Sequence, residues 1–310
     1  MRTVKFMRSY FDAHCDTMSK IYKNGVGLDG DTLMVNVKNL EGYKNAVQVF
    51  ALFNGGTMNK AEMLRCLSIF KGECQRLSHA VRICTSASQI DENTSPLSAI
   101  LAIEGLGNQP DFTPDDIKDF YDTGVRFMGL CWNNDNSLGG GCDGNGGLTE
   151  LGRQTLREME KYKIILDVSH LSDRSFYECF EHYSLPICAT HSLSRSVYAH
   201  RRNLTDEQFT LLARRGGVCG VNFYPPFLTG ARANIDSVIA HVEHLLSLGG
   251  DESVGIGSDF DGMSTVASGL ENSGCLYRLA DRLITLNYSE ETVDKIMYQN
   301  FKNLFKRFDL

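Results

Sequence analysis

The sequence lacks a long apolar run, since no segment approaches the roughly 18 to 20 apolar residues that a helix needs to cross a bilayer. Residues 1–6 are not followed by an apolar segment with a small-residue cleavage site, so a secretory signal is not expected. The last ten residues are charged and amphipathic, unlike a lipid-anchor signal. These absences argue against a membrane role and make a cytoplasmic location the expectation.

Basic charge is also scarce. Lys and Arg number 31 against 38 Asp and Glu, which gives a formal net charge of -7. A nucleic-acid partner is disfavoured because phosphate binding needs a basic surface. The ten cysteines include no Cys-x-x-Cys pair. In a chain of this length without a visible signal peptide, they are expected to be reduced and mostly buried thiols, and a disulfide framework is the weaker alternative.

Short apolar runs that alternate with helical patterns are the main feature of the chain. Each run is nearly continuously apolar and is bounded by turn signals, which is typical of strands buried on both faces in a parallel sheet. The eight predicted strands are 10–14, 46–53, 99–103, 125–130, 164–168, 187–190, 218–223 and 254–257.

Most of these runs are separated by predicted helices with recognisable starts, such as the capping-box pattern of Thr205 and Gln208. The predicted helices are 60–81, 114–121, 149–162, one that opens at Ser172, one that opens at Thr205, 235–248, 274–285 and 289–305.

Eight strands alternating with helices predict an α/β fold, a (β/α)8 TIM barrel formed by a single domain over residues 1–310. A doubly wound open sheet alternates in the same way, and the positions of the polar residues favour the barrel. Residues 131–148, rich in Gly and Asn, form a long connection that is expected to cover the site.

Five of the eight predicted strands end in a residue that can bind a metal ion or carry a negative charge. Because the carboxyl ends of barrel strands open on one face, these side chains are expected to converge there. Buried carboxylates are costly, and a cation would offset that cost. The residues, in chain order, are His14, Asp16, Glu104, His170, His191 and Asp259.

Taken singly, each of these residues has a structural explanation. His14 and Asp16 could be a hydrogen-bonded core histidine beside a capping aspartate, and Glu104 could be a solvated loop charge. His170 and His191 could be satisfied core histidines. Jointly, these explanations require five coincidences at five strand ends, so a metal site is preferred.

The ligand types indicate which metals fit. Imidazole and carboxylate without thiolate suit zinc and also permit Mn, Fe or Co. Three histidines and two acids are too many for one open tetrahedral site and suit two ions that share Glu104 as a bridging ligand and hold a hydroxide between them. Asp259 would accept a proton and pass it to the leaving amine. Glu104 and Asp259 are therefore the predicted catalytic residues, whereas Asp261 is expected to hold the loop backbone.

Six segments in this order resemble the membrane dipeptidase (renal dipeptidase) family of zinc metallopeptidases, from about residue 10 to the C-terminus. The resemblance implies a barrel of the metal-dependent amidohydrolase type, two zinc ions, and hydrolysis of dipeptides, including ones with a C-terminal D-residue. A homodimer is a family-level expectation. The matching segments are Phe-Asp-Ala-His14-Cys-Asp16-Thr, Ala-Ile-Glu104-Gly, Asp-Val-Ser-His170-Leu-Ser, Ala-Thr-His191-Ser, His-Arg-Arg202-Asn and Gly-Ser-Asp259-Phe-Asp-Gly.

The resemblance also assigns roles to these residues. His14 and Asp16 would bind the first zinc, His170 and His191 the second, and Glu104 both. Asp259 would be the acid/base.

Arg202 matches the family's substrate-binding arginine. A guanidinium can hold a carboxylate with two hydrogen bonds, and gripping the free C-terminal carboxylate would limit substrates to two residues. A surface ion pair is the structural alternative for this residue. Tyr224 either lines the same pocket or lies at the edge of the core.

The sequence departs from the mammalian members of the family at one position, where Trp132 stands in place of a substrate-holding histidine. An indole can stack or donate one hydrogen bond, but it cannot become a cation or bind a metal ion. The secretion and anchor signals of those members are also missing, so the chain is identified as a soluble bacterial-type member.

The sequence thus predicts a zinc dipeptidase without a nucleic-acid or membrane partner. The alternative enzyme is a barrel amidohydrolase that acts on a non-dipeptide amide, a lactam or a lactone. A catalytically silent relative that binds metal or small ligands is disfavoured by the complete ligand set.

Overall fold

The structure is a computed structural model that describes residues 8–40, 42–56 and 58–308. Within these residues, nine strands form one sheet in which every pair of neighbours is parallel. The strands are β1 (Tyr10–Cys15), β2 (Ala46–Phe53), β3 (Val81–Ile83), β4 (Leu97–Glu104), β5 (Val125–Gly129), β6 (Ile165–Asp167), β7 (Ile187–Ser192), β8 (Val218–Val221) and β9 (Val254–Ile256).

Eight of these strands close into a barrel. β2 pairs with β1 along one edge and with β4 along the other, in register from Ala46 opposite Leu97 to Phe53 opposite Glu104. β1 in turn pairs with β9, so the ring is complete. The predicted (β/α)8 barrel is confirmed, and its eight strands are the eight that the apolar runs predicted.

The short strand β3 is the part of the sheet that the sequence did not predict. The helix predicted over 60–81 ends at Arg76, and after a turn Val81 pairs with Leu97 at the start of β4. β5 takes over the same edge of β4 from Leu101 onward. The predicted helix was too long because the apolar residues of this three-residue strand continue the helical spacing that precedes them.

The helices surround the barrel, and no described helix has both the length and the apolar character needed to span a membrane. Turns of 3-10 helix lie at Val37–Leu40, Leu106–Asn108 and Ser273–Cys275, and a π-helical segment at Lys295–Gln299 joins the last two α-helices. The α-helices are α1 (Thr17–Asn24), α2 (Lys60–Arg76), α3 (Ala87–Asp91), α4 (Asp116–Thr123), α5 (Glu150–Lys161), α6 (Asp173–His182), α7 (Asp206–Arg214), α8 (Pro225–Leu228), α9 (Ile235–Ser247), α10 (Tyr277–Thr285), α11 (Glu290–Asp294) and α12 (Asn300–Lys306).

Local signals set several helix starts as predicted. The side chains of Thr149, Ser172 and Thr205 each accept a hydrogen bond from the backbone N–H three residues further on. The helix predicted from residue 114 begins two residues later at Asp116, whose carboxylate accepts a hydrogen bond from the backbone N–H of Thr113. All ten cysteines lie in the described residues as free thiols, and nine are buried, as expected.

The C-terminal helix closes the barrel at the amino ends of the strands. Phe301 stacks on Phe11 of β1 with ring centroids 5.7 Å apart, and Phe305 stacks on Phe127 of β5 at 5.9 Å. These rings are buried and, with neighbouring aliphatic side chains, they fill the interior of the barrel. The floor is therefore packed and apolar, which leaves the opposite end of the barrel for polar groups.

The stacking of Phe301 on Phe11 at the amino ends of the strands predicts that Phe301 contributes strongly to the free energy of unfolding. Replacing this buried ring in Phe301→Ala should lower the free energy of unfolding by about 3–5 kcal/mol, because both the transfer energy and the packing of the ring are lost. Urea unfolding measures the change. Ile69→Ala, at a position 38% exposed on α2, is the control and should stay within about 0.5 kcal/mol of wild type. Equal losses in the two variants would contradict the assigned floor.

Candidate metal centre and substrate cavity

The carboxyl ends of the strands surround a cavity of about 610 Å³. Four of the six predicted site residues line it, and the remaining two, His14 and His191, lie directly beneath and are almost fully buried. The predicted convergence at one end of the barrel is therefore present. The four lining residues are Asp16, Glu104, His170 and Asp259.

Glu104, the last residue of β4, lies at the centre of the cluster. Its Oε2 atom is 3.5 Å from Nε2 of His14, and its Oε1 atom is 2.8 Å from Nε2 of His170 and 3.7 Å from Nε2 of His191. The two oxygens of one carboxylate thus face two different sets of histidines.

The potential ligand atoms form three overlapping groups, in each of which the atoms lie within 4.8 Å of one another. Two groups share Glu104, as expected for a carboxylate between two ion positions. The groups are His14 with Asp16 and Glu104, Glu104 with His170 and His191, and His14 with His191 and Asp259.

The unpartnered atoms of this cluster test whether it suits a metal ion. Nε2 of His14 and Oδ1 of Asp16 are buried and have no hydrogen-bond partner among the described residues. Nε2 of His170 and Nε2 of His191 face each other at 2.9 Å. Buried polar atoms without partners are costly, and imidazole nitrogens with carboxylate oxygens are a donor set for divalent cations. The residues present therefore fit a metal centre.

Burial and neighbouring carboxylates shift the pKa values of the three histidines in different directions. Burial lowers the pKa of His170 to about 4 and lowers the pKa of His191 well below its ordinary value. At His14, burial acts in the same direction, but Asp16 and Glu104 outweigh it and raise the pKa well above the usual value. His170 and His191 are therefore neutral near pH 7, and each carries a lone pair that a metal ion can use.

The carboxylates respond to the same surroundings in opposite ways. Burial alone would raise the pKa of Glu104, but the neighbouring imidazoles of His170 and His14 outweigh burial and hold this pKa well below the usual value. Burial raises the pKa of Asp259 to about 7, and the negative charges of Asp16 and Glu104 add to the effect while His14 opposes it. Close packing of acidic groups is thus the main electrostatic feature of the cavity.

The backbone is strained where these side chains turn inward. His170 and Asp259 have φ values of 69° and 65°, in the left-handed region that costs a non-glycine residue roughly 1–2 kcal/mol. Such strain persists where surrounding structure holds it, and it concentrates at functional sites. A Cβ atom at Gly262 would lie 2.1 Å from Oδ2 of Asp16 and 2.6 Å from Oδ1 of Asp259, so only glycine leaves room for both carboxylates.

Two polar partners of the site were not predicted from the sequence. Asn222, just beyond β8, donates a hydrogen bond to Oδ2 of Asp259 at 3.0 Å. Asp12, fully buried in β1, accepts hydrogen bonds from the backbone and hydroxyl of Ser258 and from the backbone N–H of His14. Asp12 could have been noticed in the sequence, because it is a charged residue inside an otherwise apolar strand. The contact of Asn222 with Asp259 could not, because it depends on how the strands pair.

Asp261 holds the neighbouring loops, as expected. Its buried carboxylate accepts hydrogen bonds from the hydroxyl of Thr17 at 2.6 Å, from Nζ of Lys20 at 2.9 Å, and from the backbone N–H groups of Met34 and Val35. It belongs to none of the potential ligand groups formed by the described residues.

Arg202 lies deeper than a surface ion pair would. It is 5% exposed, and Nη2 donates a hydrogen bond to the backbone carbonyl of His191 at 3.0 Å. Its Nε atom is buried and has no hydrogen-bond partner among the described residues. Arg202 is not one of the described residues that line the 610 Å³ cavity, but its guanidinium lies 5.5 Å from the ring of Phe227, which does.

Aromatic side chains form the walls of the cavity. Trp132 packs edge-on against Phe53 with ring centroids 5.2 Å apart, and Tyr224 packs edge-on against Phe227 at 4.9 Å. Trp132 and its neighbour Asn133 belong to the long connection that was expected to reach the site, and both line the cavity. Tyr224 is also a lining residue, so it lies at the pocket.

Comparison with known proteins identifies one family over nearly the whole chain. The membrane dipeptidase family (peptidase family M19) matches residues 2–309. An uncharacterized protein of Klebsiella pneumoniae, named for the pqqA 5′ region, is 32% identical over 255 residues, which cover 77% of this chain and 93% of that protein.

Two solved structures are similar over their full lengths. The metallopeptidase dipeptidase AC, of family M19, has a TM-score of 0.87 and 25% identity, covering 97% of this chain and 98% of that one. A metallopeptidase from Rhodobacter sphaeroides, bound to a phosphinate mimic of the dipeptide L-Ala-D-Ala, has a TM-score of 0.89 and 24% identity, with coverage of 98% and 100%. The similarity to the Rhodobacter sphaeroides structure shows that the two proteins share a fold.

The contacts of Asp261 predict that it is a structural residue. Asp261→Ala should lower the free energy of unfolding by on the order of 3–5 kcal/mol, because the change leaves a partly buried lysine, the hydroxyl of Thr17 and two backbone N–H groups without their acceptor. Asp31→Ala removes an exposed aspartate that pairs with Lys38 at 2.7 Å and should cost only about 0–1 kcal/mol. Urea unfolding of both variants tests the difference, and similar small losses would refute the loop-holding role.

Proposed function

Since the chain belongs to the membrane dipeptidase family, peptidase family M19, we propose that it hydrolyses dipeptides and that two zinc ions occupy its carboxylate–imidazole cluster. The observation that carries this proposal is the position of Glu104, whose two oxygens face separate sets of histidines at 3.5 Å and at 2.8 and 3.7 Å. A single-ion site needs no such carboxylate between two ligand groups.

The ligands divide between the two ions. His14 and Asp16 would hold the first, His170 and His191 the second, and Glu104 would bind both. Neutral imidazoles with carboxylates and no thiolate are typical of catalytic zinc. When bound, such ions would supply the Lewis acidity that lowers the pKa of the attacking water and polarises the substrate carbonyl.

Asp259 would move the proton. Its Oδ2 atom is held by Asn222, which leaves Oδ1, 3.9 Å from Nε2 of His14, facing the cluster. A carboxylate oxygen that faces the reacting centre can both accept a proton and return it. Asp259 therefore accepts the proton of the attacking water at Oδ1 and delivers it to the amine that leaves.

Arg202 would bind the C-terminal carboxylate of the substrate. It is a buried cation whose Nε donor has no partner among the described residues. Burial is the main reason that the pKa values of His170 and His191 are low, and the nearby charge of Arg202 lowers them further. A fixed cation beside the metal centre that bound the free carboxylate would limit the substrate to two residues.

Trp132 and Tyr224 would contact the substrate as walls of the cavity. Trp132 packs against Phe53 and Tyr224 against Phe227, so each ring is braced by another ring. An indole at this position offers apolar surface and one donor and cannot supply a positive charge. We therefore expect Trp132 to shape the range of side chains that the enzyme accepts. The cytoplasmic location and the homodimer stay predictions.

A panel of small substrates tests the function. L-Ala-D-Ala is included because its mimic binds the Rhodobacter sphaeroides metallopeptidase, together with L-Ala-L-Ala, the tripeptide L-Ala-L-Ala-L-Ala, an N-acyl amino acid amide and a lactone. We expect release of alanine from dipeptides but not from the tripeptide, loss of activity on chelation, recovery with zinc, and roughly two zinc ions per chain by mass spectrometry.

Other outcomes of this panel would contradict the proposal. Hydrolysis of the amide or the lactone without hydrolysis of dipeptides would favour the amidohydrolase alternative. Fewer than about one zinc ion per chain after careful loading would contradict the two-ion centre.

The role of Arg202 predicts a loss that depends on the substrate carboxylate. Arg202→Lys, which keeps the charge but not the planar fork, and Arg202→Ala should each lower kcat/KM for a dipeptide, mainly through KM. We expect a cost of roughly 2–5 kcal/mol, or about 30-fold and more, for Arg202→Ala.

The same variants should leave kcat/KM for the corresponding dipeptide amide unchanged, because the amide has no carboxylate to bind. Equal losses for the dipeptide and its amide would point to a structural role for Arg202.

A further inference from the structure

The three histidines of the metal centre all turn the same ring nitrogen inward. Nε2 lies 3.5 Å from Glu104 in His14, 2.8 Å in His170 and 3.7 Å in His191. A neutral imidazole carries one proton, so Nε2 can bind a cation only when that proton is on Nδ1. The partners of the three Nδ1 atoms therefore decide whether these side chains are ready to bind metal.

His170 has a partner of its own. Its Nδ1 atom lies 2.7 Å from Oδ1 of Asn133. An amide oxygen can only accept a hydrogen bond, so it keeps the proton on Nδ1.

His14 and His191 instead share one partner, the hydroxyl of Thr190. Oγ1 of Thr190 is 2.8 Å from Nδ1 of His191 and 3.4 Å from Nδ1 of His14. The two rings are close enough for this, with centroids 3.8 Å apart. His14 and His191 belong to the two different ligand groups that share Glu104. The hydroxyl oxygen of Thr190 therefore contacts a histidine of each group, on the side of the ring that faces away from Glu104.

Asp167 determines the direction of these hydrogen bonds. Its Oδ1 atom accepts the backbone N–H groups of Ser169 and Thr190, both at 2.9 Å, which turns Oδ2 toward the hydroxyl of Thr190. A hydroxyl has one proton and two lone pairs, and here it donates its hydrogen bond to Oδ2 of Asp167. Both lone pairs then remain to accept Nδ1–H from His14 and His191.

We propose that Thr190, oriented by Asp167, is a positioning residue that fixes the metal-binding tautomers of His14 and His191 together. The proposal rests on the proposed metal centre and not on the identity of the substrate. Partners of this kind are typically worth about 10–100-fold in metal affinity. Since a single hydroxyl supports ligands of both ions, its removal should weaken both.

Zinc affinity of a hydroxyl-deleted variant tests the proposal. Thr190→Val preserves the shape of the side chain, and competition with a fluorescent chelator should show both zinc-release steps weakened by about 10–100-fold. Thr190→Ser keeps the hydroxyl and should retain the affinity of wild type. Unfolding of the zinc-free proteins shows that each variant folds.

Thr155→Val is the matched control. Thr155 is fully buried in α5, its hydroxyl donates to the backbone carbonyl of Leu151 at 2.8 Å, and it neither lines the cavity nor belongs to a potential ligand group. The variant makes the same chemical change in a buried site and should bind zinc as wild type does.

Asp167→Asn tests the direction of the hydrogen bonds while Thr190 stays in place. Oδ1 must keep its two backbone donors, so the new amide nitrogen faces the Thr190 hydroxyl and both groups are donors. The hydroxyl then donates to Nδ1 of a histidine, which favours the tautomer that carries its single proton on Nε2 and therefore cannot bind a cation there. Zinc affinity should fall, and the double variant with Thr190→Val should be no weaker than Thr190→Val alone.

Three results would overturn the proposal: wild-type affinity in Thr190→Val, a loss confined to one release step, or an equal loss in Thr155→Val. A wild-type chain that binds no zinc would overturn both this proposal and the proposed metal centre. A wild-type chain that binds two zinc ions but hydrolyses no dipeptide would overturn the proposed function alone, and the effects of Thr190→Val would still be measurable.

Discussion

Acidic side chains packed into a buried space are the constraint on which the site depends. Asp16, Glu104 and Asp259 share one end of the barrel with three imidazoles, and burial raises the pKa of Asp259 to about 7 even with His14 beside it. Proteins tolerate such groupings where a cation or a network of hydrogen bonds compensates. Here the network lies on the outer side, through Asn222, while inward-facing atoms such as Nε2 of His14 have no hydrogen-bond partner among the described residues. Outer atoms that are hydrogen-bonded, together with buried inner atoms that have no partner at His14 and Asp16, are the arrangement expected of a site that binds metal ions.

The scaffold makes this arrangement possible by holding strained residues in a stiff frame. The rings of Phe301 and Phe11 fill the floor of the barrel, so the strands above cannot shift to relieve the repulsion between carboxylates. Left-handed backbone at His170 and Asp259 would relax in a loose loop, but each residue lies only three residues beyond the end of a barrel strand, β6 or β9. Stability from the apolar end of the barrel thus offsets unfavourable geometry at the polar end.

The sequence predicts those features that are local or repeat along the chain. Buried parallel strands are continuous apolar runs, and the ligands follow them directly, so the barrel and the convergence of His14, Glu104 and His191 could be predicted. The contacts of Thr190 with Asp167 and of Asn222 with Asp259 could not, because each joins different strands and depends on the register between them. The strand β3 was missed because it is short: three residues are too few to interrupt the helical pattern that precedes them. The depth of Arg202 likewise depends on how the loop after β7 folds back, which no spacing encodes.

The proposed metal centre and the walls of the cavity are formed by different parts of the barrel. The metal centre therefore bears on the reaction, and the walls bear on which substrates fit. Four of the five proposed metal ligands, His14, Asp16, Glu104 and His191, lie in a strand or directly after one, so the closed sheet determines their positions. Trp132, Tyr224 and Phe227 lie three or more residues beyond a strand, where the chain is freer to vary. A substitution such as tryptophan for histidine at position 132 therefore changes the wall against which a substrate packs without moving a ligand atom. Because transition-state contacts set specificity, two barrels with the same metal ligands can prefer different dipeptides through such walls alone. Because each ring of the aromatic pairs is braced by another, we expect this cavity to favour substrates with apolar side chains that can stack against them.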